Sequence, residues 1–362
     1  RQVRAFVHLP YIVYRDNPYW VPPLLAEEKK LLDPRLGHPF YRHSAAAFFL
    51  AEDEGEVRGR IGVMENRRYN EHLGQRSAFF GYLEAVNDLA VSRTLFDAAF
   101  QWARDRGLER MEGPRTLLDT NAAGLLVEGF DLLPAMGIPY NPPYYETLVR
   151  DAGLAKHRDN LSGYISGEGI LPERIARLAE RLRRRSGLTV ISPGKGSDLR
   201  AWVQRVARVY IQAFATHDDF VPPTEEEIEL FAGQILSIAD PRLVKIALKE
   251  DQPVGFVLSY PNINEGLQRA RGRLWPLGWY YILRARRATK RLDINGLGVL
   301  PEYRGLGANV LMYSELAKTI KALGYTHLEL VQVQEDNFRS LHDQEALGAT
   351  WYKRHRMFRC SL

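Results

Sequence analysis

Apolar and polar positions alternate in a way that predicts two β-hairpins in distant parts of the chain. The first covers residues 48–64, where two apolar runs flank an acidic turn that contains Gly55. The second covers residues 243–260 and has its polar turn at residues 250–252. Gly59 and Gly255 occupy matching places in the second strand of each hairpin, 196 positions apart.

A second pair of segments repeats at nearly the same separation. Asn141 and Asn337 each precede a short helical stretch, and Gly153 and Gly348 follow those stretches. A constant offset at two separate places indicates duplication of one structural unit, although two common hairpins could also coincide. We interpret the chain as two units.

The predicted units span residues 1–167 and 168–362. A strand at residues 159–166 ends the first unit, and a basic helix at residues 172–185, whose arginines we expect in solvent, opens the second. The second unit runs as an antiparallel meander followed by a strand–helix–strand crossover, which predicts an α/β (α+β) fold with a mixed, mostly antiparallel sheet flanked by helices. Its predicted strands lie at residues 188–192, 292–299, 327–333 and 352–359, and its helices at residues 198–213, 224–237, 307–323 and 338–346.

Composition is that of an ordinary globular protein. The 362 residues suit two domains, and the net charge of +5 suits an anionic ligand without requiring nucleic acid. Cys360 is the single cysteine, so the chain forms no internal disulfide and no cysteine-based metal site. Because the sequence also contains no apolar run long enough to span a bilayer, we expect a cytoplasmic protein without a metal.

Residues 297–309 carry the strongest chemical signal. An apolar strand ends at Pro301, a turn with Gly305 and Gly307 follows, and an apolar-periodic helix then begins. Glycines let successive amides point inward, and a helix N-terminus adds partial positive charge, so such a turn suits a pyrophosphate. A purely structural strand-to-helix turn is the alternative interpretation.

This segment resembles the acetyl-CoA loop of the GNAT superfamily of N-acetyltransferases, whose pattern is Val-x-Pro-x-x-Arg-Gly-x-Gly. Arg304 and Gly307 match, whereas Asn309 stands where the family usually has Gly or Ala. The resemblance implies an N-acetyltransferase that moves an acetyl group from acetyl-CoA to a primary amine of an unidentified acceptor. It also implies that backbone at Gly298, Val299 and Leu300 pairs with the pantetheine arm, and that the pyrophosphate lies on Arg304, Gly305, Leu306, Gly307, Ala308 and Asn309.

The resemblance extends to residues 337–348, where family members often have Asn-x-x-Ala-x-x-Leu-Tyr-x-x-x-Gly. Asn337 fits this pattern and is a candidate cofactor residue, but Gln344 occupies the place of the tyrosine that often protonates the leaving thiolate. His342 and Tyr352 are the nearby candidates for that acid. A structural or surface role is the alternative for each of them.

Acetyl transfer also needs a base, because the attacking amine must be neutral. Asp293 and Glu329 lie on the two strands that are expected to separate around the cofactor, and each alternates with apolar neighbours. Either carboxylate, or an ordered water, could accept the proton.

The whole chain also resembles a bacterial group with tandem GNAT-like domains, on residues 16–23, 124–130 and 140–145. Its first unit departs from the cofactor pattern, because residues 84–92 contain no glycine and carry Glu84 and Asp88, which repel phosphate. We therefore expect the first unit to be a degenerate GNAT-like domain that binds no cofactor and helps to wall the acceptor site.

Residues 264–290 form an insertion that combines aromatic residues with many arginines. We expect a helical segment that packs its aromatics on the domain, or a lid over the acceptor, in preference to a membrane or nucleic-acid surface. Two other functions stay open: a non-catalytic acyl-CoA-binding or interaction protein, and a transferase that uses another acyl or aminoacyl donor. The sequence leaves the oligomeric state open.

Overall fold

The computed structural model describes residues 2–117, 123–194, 197–215, 217 and 219–362. Each predicted hairpin, and each helix and strand predicted for the second unit, is present within a few residues of its expected bounds. In the first half of the chain the order is α1 (Gln2–Val13), α2 (Leu25–Leu32), β1 (Ala45–Asp53), β2 (Glu56–Glu65), α3 (Arg67–Leu73), β3 (Ser77–Ala85), α4 (Leu89–Arg104), β4 (Arg110–Gly113), β5 (Leu125–Glu128), α5 (Tyr145–Asp151) and β6 (Ala155–Ser166).

The second half repeats this plan with additions. Its order is α6 (Glu173–Arg185), β7 (Leu188–Ile191), α7 (Ser197–Phe214), α8 (Glu225–Ile238), β8 (Lys245–Lys249), β9 (Gln252–Pro261), α9 (Asn264–Ala270), α10 (Gly278–Ala288), β10 (Arg291–Val299), α11 (Ala308–Leu323), β11 (His327–Gln334), α12 (Phe338–Ala346) and β12 (Thr350–Ser361). Short 3₁₀ turns lie at Pro34–Leu36, Pro39–Arg42, Gly167–Ile170, Pro241–Leu243 and Pro301–Tyr303.

The strands join one open, mostly antiparallel sheet with the order β1-β2-β3-β4-β12-β6-β11-β10-β9-β8-β7, and β5 pairs with β12. Apart from β7, corresponding strands of the two halves follow the same order from each edge of the sheet to its centre: β1, β2, β3 and β4 from one edge, and β8, β9, β10 and β11 from the other. The last strand of each half is exchanged: β6 pairs with β11, and β12 pairs with β4. The α/β (α+β) fold class is thus confirmed, and the two copies share one sheet through their exchanged strands.

The repeat is visible in the hydrogen-bond register. Ala51 pairs with Gly59 in the first hairpin, and Ala247 pairs with Gly255 in the second. Each ladder has a register shift immediately after that pair. An irregularity repeated at the same place supports duplication more strongly than the hairpins alone, because bulges are specific features of a strand pair.

Helix α11 packs on the sheet beside the glycine turn and helps to bury one face of β10 and β11. Its apolar positions recur every three or four residues, and Gly324, in the left-handed conformation, ends it. Those side chains form one core with alternate residues of the two strands; the members are Leu311, Met312, Leu316, Ile320, Leu292, Ile294, Leu328 and Leu330. Residues between these strand positions therefore face the opposite side of the sheet.

The insertion is helical, as expected, and consists of α9, α10 and the turn between them. The expectation that its aromatics pack on the domain was wrong, because Trp275 is 78% exposed and Trp279 is 47% exposed. The predicted boundary near residue 167 stays a prediction.

Candidate functional site

The glycine turn leads directly into α11. Gly305 and Gly307 have φ angles of 83° and 88°, a region that favours glycine. A Cβ on Gly307 would also lie 2.5 Å from Leu182 Cδ1, so a side chain there would in addition need the Leu182 side chain to shift. Five amides in the glycine turn and the first turn of α11 have no backbone acceptor within the described part of the chain. They belong to Gly305, Gly307, Ala308, Asn309 and Val310.

The remaining polar groups of the turn hold it in place. Arg304 donates from Nη2 to the carbonyl of Ala213 at 2.6 Å and from Nε to that of Val299 at 3.2 Å. The Asn309 side chain donates to Asp343 on α12 at 3.1 Å. The guanidinium of Arg304 thus fixes the loop against α7, and the five amides named above remain free to bind an anion.

Strands β10 and β11 separate beside this turn. They pair in parallel from Arg291 to Ile294 and from His327 to Leu330, and the ladder ends there. Beyond that point, among the described residues, β10 pairs only with β9, through residues 296–299. On β11 the strand geometry is interrupted at Gln332, which has a φ of 42°. Gly298 and Val299 therefore lie on a strand edge that is open toward β11, whereas the Leu300 amide already donates to Val254.

Asp293 and Glu329 lie opposite each other in the last part of that parallel ladder, and neither side chain is exposed to solvent. Both face away from the α11 core. Asp293 accepts hydrogen bonds from the Met136 amide at 2.8 Å and from the Asn262 side chain at 3.0 Å. Burial raises the pKa of Asp293 to about 6, and these two hydrogen bonds limit the rise.

Glu329 is less fully satisfied than Asp293. Its Oε1 accepts a hydrogen bond from the Tyr352 hydroxyl, whereas its buried Oε2 has no hydrogen-bond partner among the described residues. Arg291 Nη2 lies 3.8 Å from that oxygen. Burial, followed by repulsion from Asp293, raises the pKa of Glu329 to about 8. Burial and the neighbouring carboxylate also raise the pKa of Tyr352, which keeps this hydroxyl protonated.

A segment of the first half covers this carboxylate pair. We call residues 129–141 the cover. Besides the Met136 bond to Asp293, it accepts hydrogen bonds from Asn262 and Asn264 at Pro134, from Lys353 at Gly129 and Leu132, and from His355 at Pro139. Burial lowers the pKa of Lys353 to about 8 and that of His355 to about 4.

Residues 205–349 match the model of the acetyltransferase (GNAT) family. Over its whole length the chain is 30% identical to the bacterial ceramide synthase of Caulobacter vibrioides (strain NA1000 / CB15N), covering 95% of that protein. The chain belongs to the GNAT family. As such it is an acyl-CoA-dependent N-acyltransferase.

Other relatives agree with this assignment. Protein YghO of Escherichia coli (strain K12) is 26% identical over 98% of this chain and 92% of its own. A tandem GNAT protein from the clavulanic acid biosynthesis pathway superposes with a TM-score of 0.59 at 13% identity, over 99% of this chain and 94% of that one. A GCN5-related N-acetyltransferase from Sphaerobacter thermophilus gives a TM-score of 0.52 at 16% identity, over 99% and 92%. Both structures share the fold of this chain, and the first of them is named a tandem GNAT protein.

The remaining sequence candidates lie on α12 of this GNAT fold. Asn337 caps that helix, accepting from the Ser340 amide at 3.2 Å. His342 is exposed on the same helix, and no contact recorded for the described residues joins it to the carboxylate pair. Gln344 donates to Ser340 at 3.0 Å, and its buried Oε1 lacks a partner within the described structure. The structure thus brings Asp293, Glu329 and Tyr352 together and leaves His342 apart.

Lys353, His355 and the cover were not identified from the sequence. The two side chains alternate on β12 and are buried, at 2% and 0% exposure. Polar residues at the inward positions of a strand are a usable signal of a buried polar site. The cover itself gave no such signal, because it acts through backbone groups.

The first half closes the equivalent gap with its own chain. Strands β3 and β4 pair in parallel only from Ser77 to Phe79, as β10 and β11 do over a similar length. Beyond that point the Arg115 amide donates to the Phe80 carbonyl at 2.8 Å, and a Cβ on Gly81 would lie 1.8 Å from the Arg115 oxygen. The backbone after β4 thus occupies the edge that stays open in the second half.

The start of α4 is also occupied. Asp88 caps this helix by accepting from the Ala90 amide at 2.8 Å, so a carboxylate of the chain takes the place that an anion would need. Glu84 is buried and accepts from the hydroxyls of Tyr14 and Tyr145, each at 2.7 Å. Burial raises the pKa of Glu84.

Neither a metal site nor a membrane span emerges from the described residues. No group of three or more histidine, cysteine, aspartate or glutamate side chains is arranged there to hold a metal ion. The described helices include none whose length and apolar character would let it cross a bilayer.

Proposed function

We propose that this enzyme transfers an acyl group from acyl-CoA to the primary amine of a long-chain, lipid-like acceptor. The observation that carries the proposal is the end-to-end similarity to a protein named bacterial ceramide synthase. A ceramide is the amide of a fatty acid with a long-chain amino alcohol, so its synthesis is an N-acylation of a lipid amine. Acetyl-CoA, the general GNAT donor, is the competing donor for the same site.

The donor would bind between the glycine turn and the open edge of β10. Its pyrophosphate would accept from the five amides named above, those of Gly305, Gly307, Ala308, Asn309 and Val310, where the start of α11 adds positive potential. Its pantetheine arm would pair with the free edge at Gly298 and Val299. Of the residues expected to bind the cofactor, Leu300, Arg304 and Leu306 donate their amides to carbonyls of the chain itself, and the Asn337 side chain caps α12.

Glu329 is the better candidate for the base. The nitrogen of a neutral amine must lose a proton as it attacks the thioester carbon, and Glu329 Oε2 is a buried carboxylate oxygen with no hydrogen-bond partner among the described groups. Both oxygens of Asp293 already accept hydrogen bonds. Asp293 instead acts through its charge, which raises the pKa of Glu329 toward that of a useful base.

The transfer then balances with these groups. A neutral amine forms the C–N bond as one of its N–H protons passes to Glu329, the thioester C–S bond breaks, and the CoA thiolate takes up that proton from Glu329, so that the carboxylate is regenerated and CoA leaves as the thiol. Tyr352 is a positioning residue: its hydroxyl holds Glu329 Oε1, so that Oε2 is the oxygen left to receive the proton.

The test is a matrix of donors and acceptors with the amide product detected by mass spectrometry. Acetyl-CoA and palmitoyl-CoA are each incubated with sphinganine, a short alkylamine and a lysine peptide. We expect palmitoyl-sphinganine as the dominant product. Acetylation of the short amine or the peptide alone would contradict a lipid acceptor. Stoichiometric acyl-CoA binding without any product would favour the non-catalytic alternative.

A further inference from the structure

The insertion carries a concentrated exposed apolar surface. We call the tip of the insertion the turn after α9 together with the start of α10, residues 271–284. Six large apolar side chains of this tip are each at least 45% exposed: Leu274, Trp275, Leu277, Trp279, Tyr280 and Leu283. Apolar side chains scattered singly over a surface need no explanation, but a cluster of this kind indicates a binding surface.

The charge of the same segment has one sign. Residues 266–290 contain six arginines and one lysine and no acidic residue. Arg271, Arg273, Arg284 and Arg287 are exposed beside the apolar side chains. Aromatic residues mixed with basic ones suit the boundary between the headgroups and the acyl chains of an anionic bilayer, where rings lie among the headgroups and cations meet phosphates.

The tip is held rigidly. Close packing joins α9 and α10, because a Cβ on Gly266 would lie 2.8 Å from Ala285 and Ile282. The Leu25 amide donates to the Gly272 carbonyl at 2.9 Å, and Trp279 Nε1 donates to Pro276 at 2.8 Å. A fixed apolar tip keeps its shape without a partner, which lowers the entropy cost of docking.

The insertion is also continuous with the candidate active site. Asn264, the first residue of α9, is buried and donates to Pro134 of the cover at 2.8 Å. Its neighbour Asn262 donates to Asp293. The tip that would contact a bilayer therefore belongs to an insertion that is hydrogen-bonded to the cover of the carboxylate pair.

We propose that the tip of the insertion docks on the surface of an anionic lipid bilayer. The inference rests on the proposed function in one respect: a lipid amine held in the membrane would be the acceptor that the docked enzyme acylates. The composition favours a bilayer over a protein partner, because the segment combines exposed apolar residues with exposed cations and has no acidic side chain.

The experiment is cosedimentation of the full chain with vesicles of phosphatidylcholine alone or with 30 mol% phosphatidylglycerol. We expect binding to the anionic vesicles that weakens at least tenfold in the double variant Leu274→Ser/Trp275→Ser and in Arg284→Glu/Arg287→Glu. Leu89→Ser removes an exposed leucine at the start of α4 and should leave binding unchanged. Circular dichroism confirms that each variant is folded.

Three results would overturn the proposal: no sedimentation of the folded wild type with anionic vesicles, equal loss in Leu89→Ser, or no loss in either double variant. A fourth result would also overturn it: the wild type self-associates without binding vesicles, and Leu274→Ser/Trp275→Ser abolishes the self-association. The tip would then be a contact between copies of the chain. Turnover of sphinganine in detergent micelles separates the two proposals. The tip variants should keep that turnover, whereas a wild type that binds vesicles but lacks turnover would contradict only the proposed function.

Discussion

Asp293 and Glu329 lie side by side on adjacent parallel strands, both fully buried, at the end of the ladder beside which the sheet opens. Two carboxylates so close cannot both ionise easily in a site of low dielectric constant. Their environments differ, since both oxygens of Asp293 accept hydrogen bonds, whereas one oxygen of Glu329 has no hydrogen-bond partner among the described residues. This difference assigns the roles of fixed charge and base, and the pH dependence follows from it.

The rate of acyl transfer should rise with pH up to about 8. Burial and Asp293 raise the pKa of Glu329 to about 8, and only the ionised carboxylate can accept a proton, so activity is lost as pH falls below that value. We expect kcat/KM to fall about tenfold per pH unit well below 8 and to level off above it. The acceptor in this assay should be an amine with its own pKa below 6. A flat profile between pH 6 and 9 would count against Glu329.

Replacing Tyr352 by phenylalanine should move that profile to higher pH. The hydroxyl donates to Glu329 and thereby lowers the pKa of the carboxylate, so its removal raises that pKa further. Activity at pH 7 should drop severalfold, while the plateau at high pH is largely retained. Tyr164→Phe is the matched control, because the Tyr164 ring contacts Tyr352 edge-on at 5.4 Å. A uniform loss at all pH values would show that Tyr352 does more than position Glu329.

Gly305 allows a charge test of the phosphate site. A side chain added there meets no atom within 4 Å, and both Asn and Asp tolerate the left-handed backbone of this residue. Gly305→Asp places a negative charge against the pyrophosphate, whereas Gly305→Asn adds almost the same volume without charge. Calorimetry should find the Kd for acyl-CoA at least tenfold weaker in the Asp variant than in the Asn variant. Equal affinities would place the pyrophosphate elsewhere.

The enzyme should bind one acyl-CoA per chain. The first half fills its strand edge with the backbone at Arg115 and the start of α4 with Asp88, so neither the pantetheine arm nor the pyrophosphate finds free groups there. Isothermal titration with a nonhydrolysable acyl-CoA should give a stoichiometry of one. Two equivalents would mean that the backbone at Arg115 moves aside and that the first half is a working copy.

Local patterns predicted much of this molecule. The hairpins and the strand–helix–strand crossover could be predicted from apolar periodicity over about ten residues. The glycine turn could be predicted because the glycines that its backbone conformation requires lie within nine residues. The exchange of β6 and β12 could not be predicted in the same way. Each strand has an equivalent partner in either half, and nothing in its own apolar pattern chooses between them.

In the candidate site, too, some residues could be predicted from the local sequence and others could not. Asp293 and Glu329 were recognisable because each interrupts a buried strand beside the expected cofactor. Lys353 and the cover were not, since their contact joins a side chain to carbonyls more than 200 residues away. The aromatic side chains of the insertion were expected to be buried against the domain, as large aromatic residues usually are, but they are exposed. Clusters of exposed apolar residues often mark binding surfaces.

The most direct test of the account compares Glu329→Gln with the wild type in two assays on the same sample. The substitution keeps size and polarity but removes the charge that accepts the proton. We predict that kcat for palmitoyl transfer to sphinganine at pH 8 falls at least 100-fold, within the usual range for a lost general base, while the Kd for palmitoyl-CoA changes less than about twofold. A folded Glu329→Gln enzyme that turns over at the wild-type rate would contradict the assignment of this carboxylate as the base.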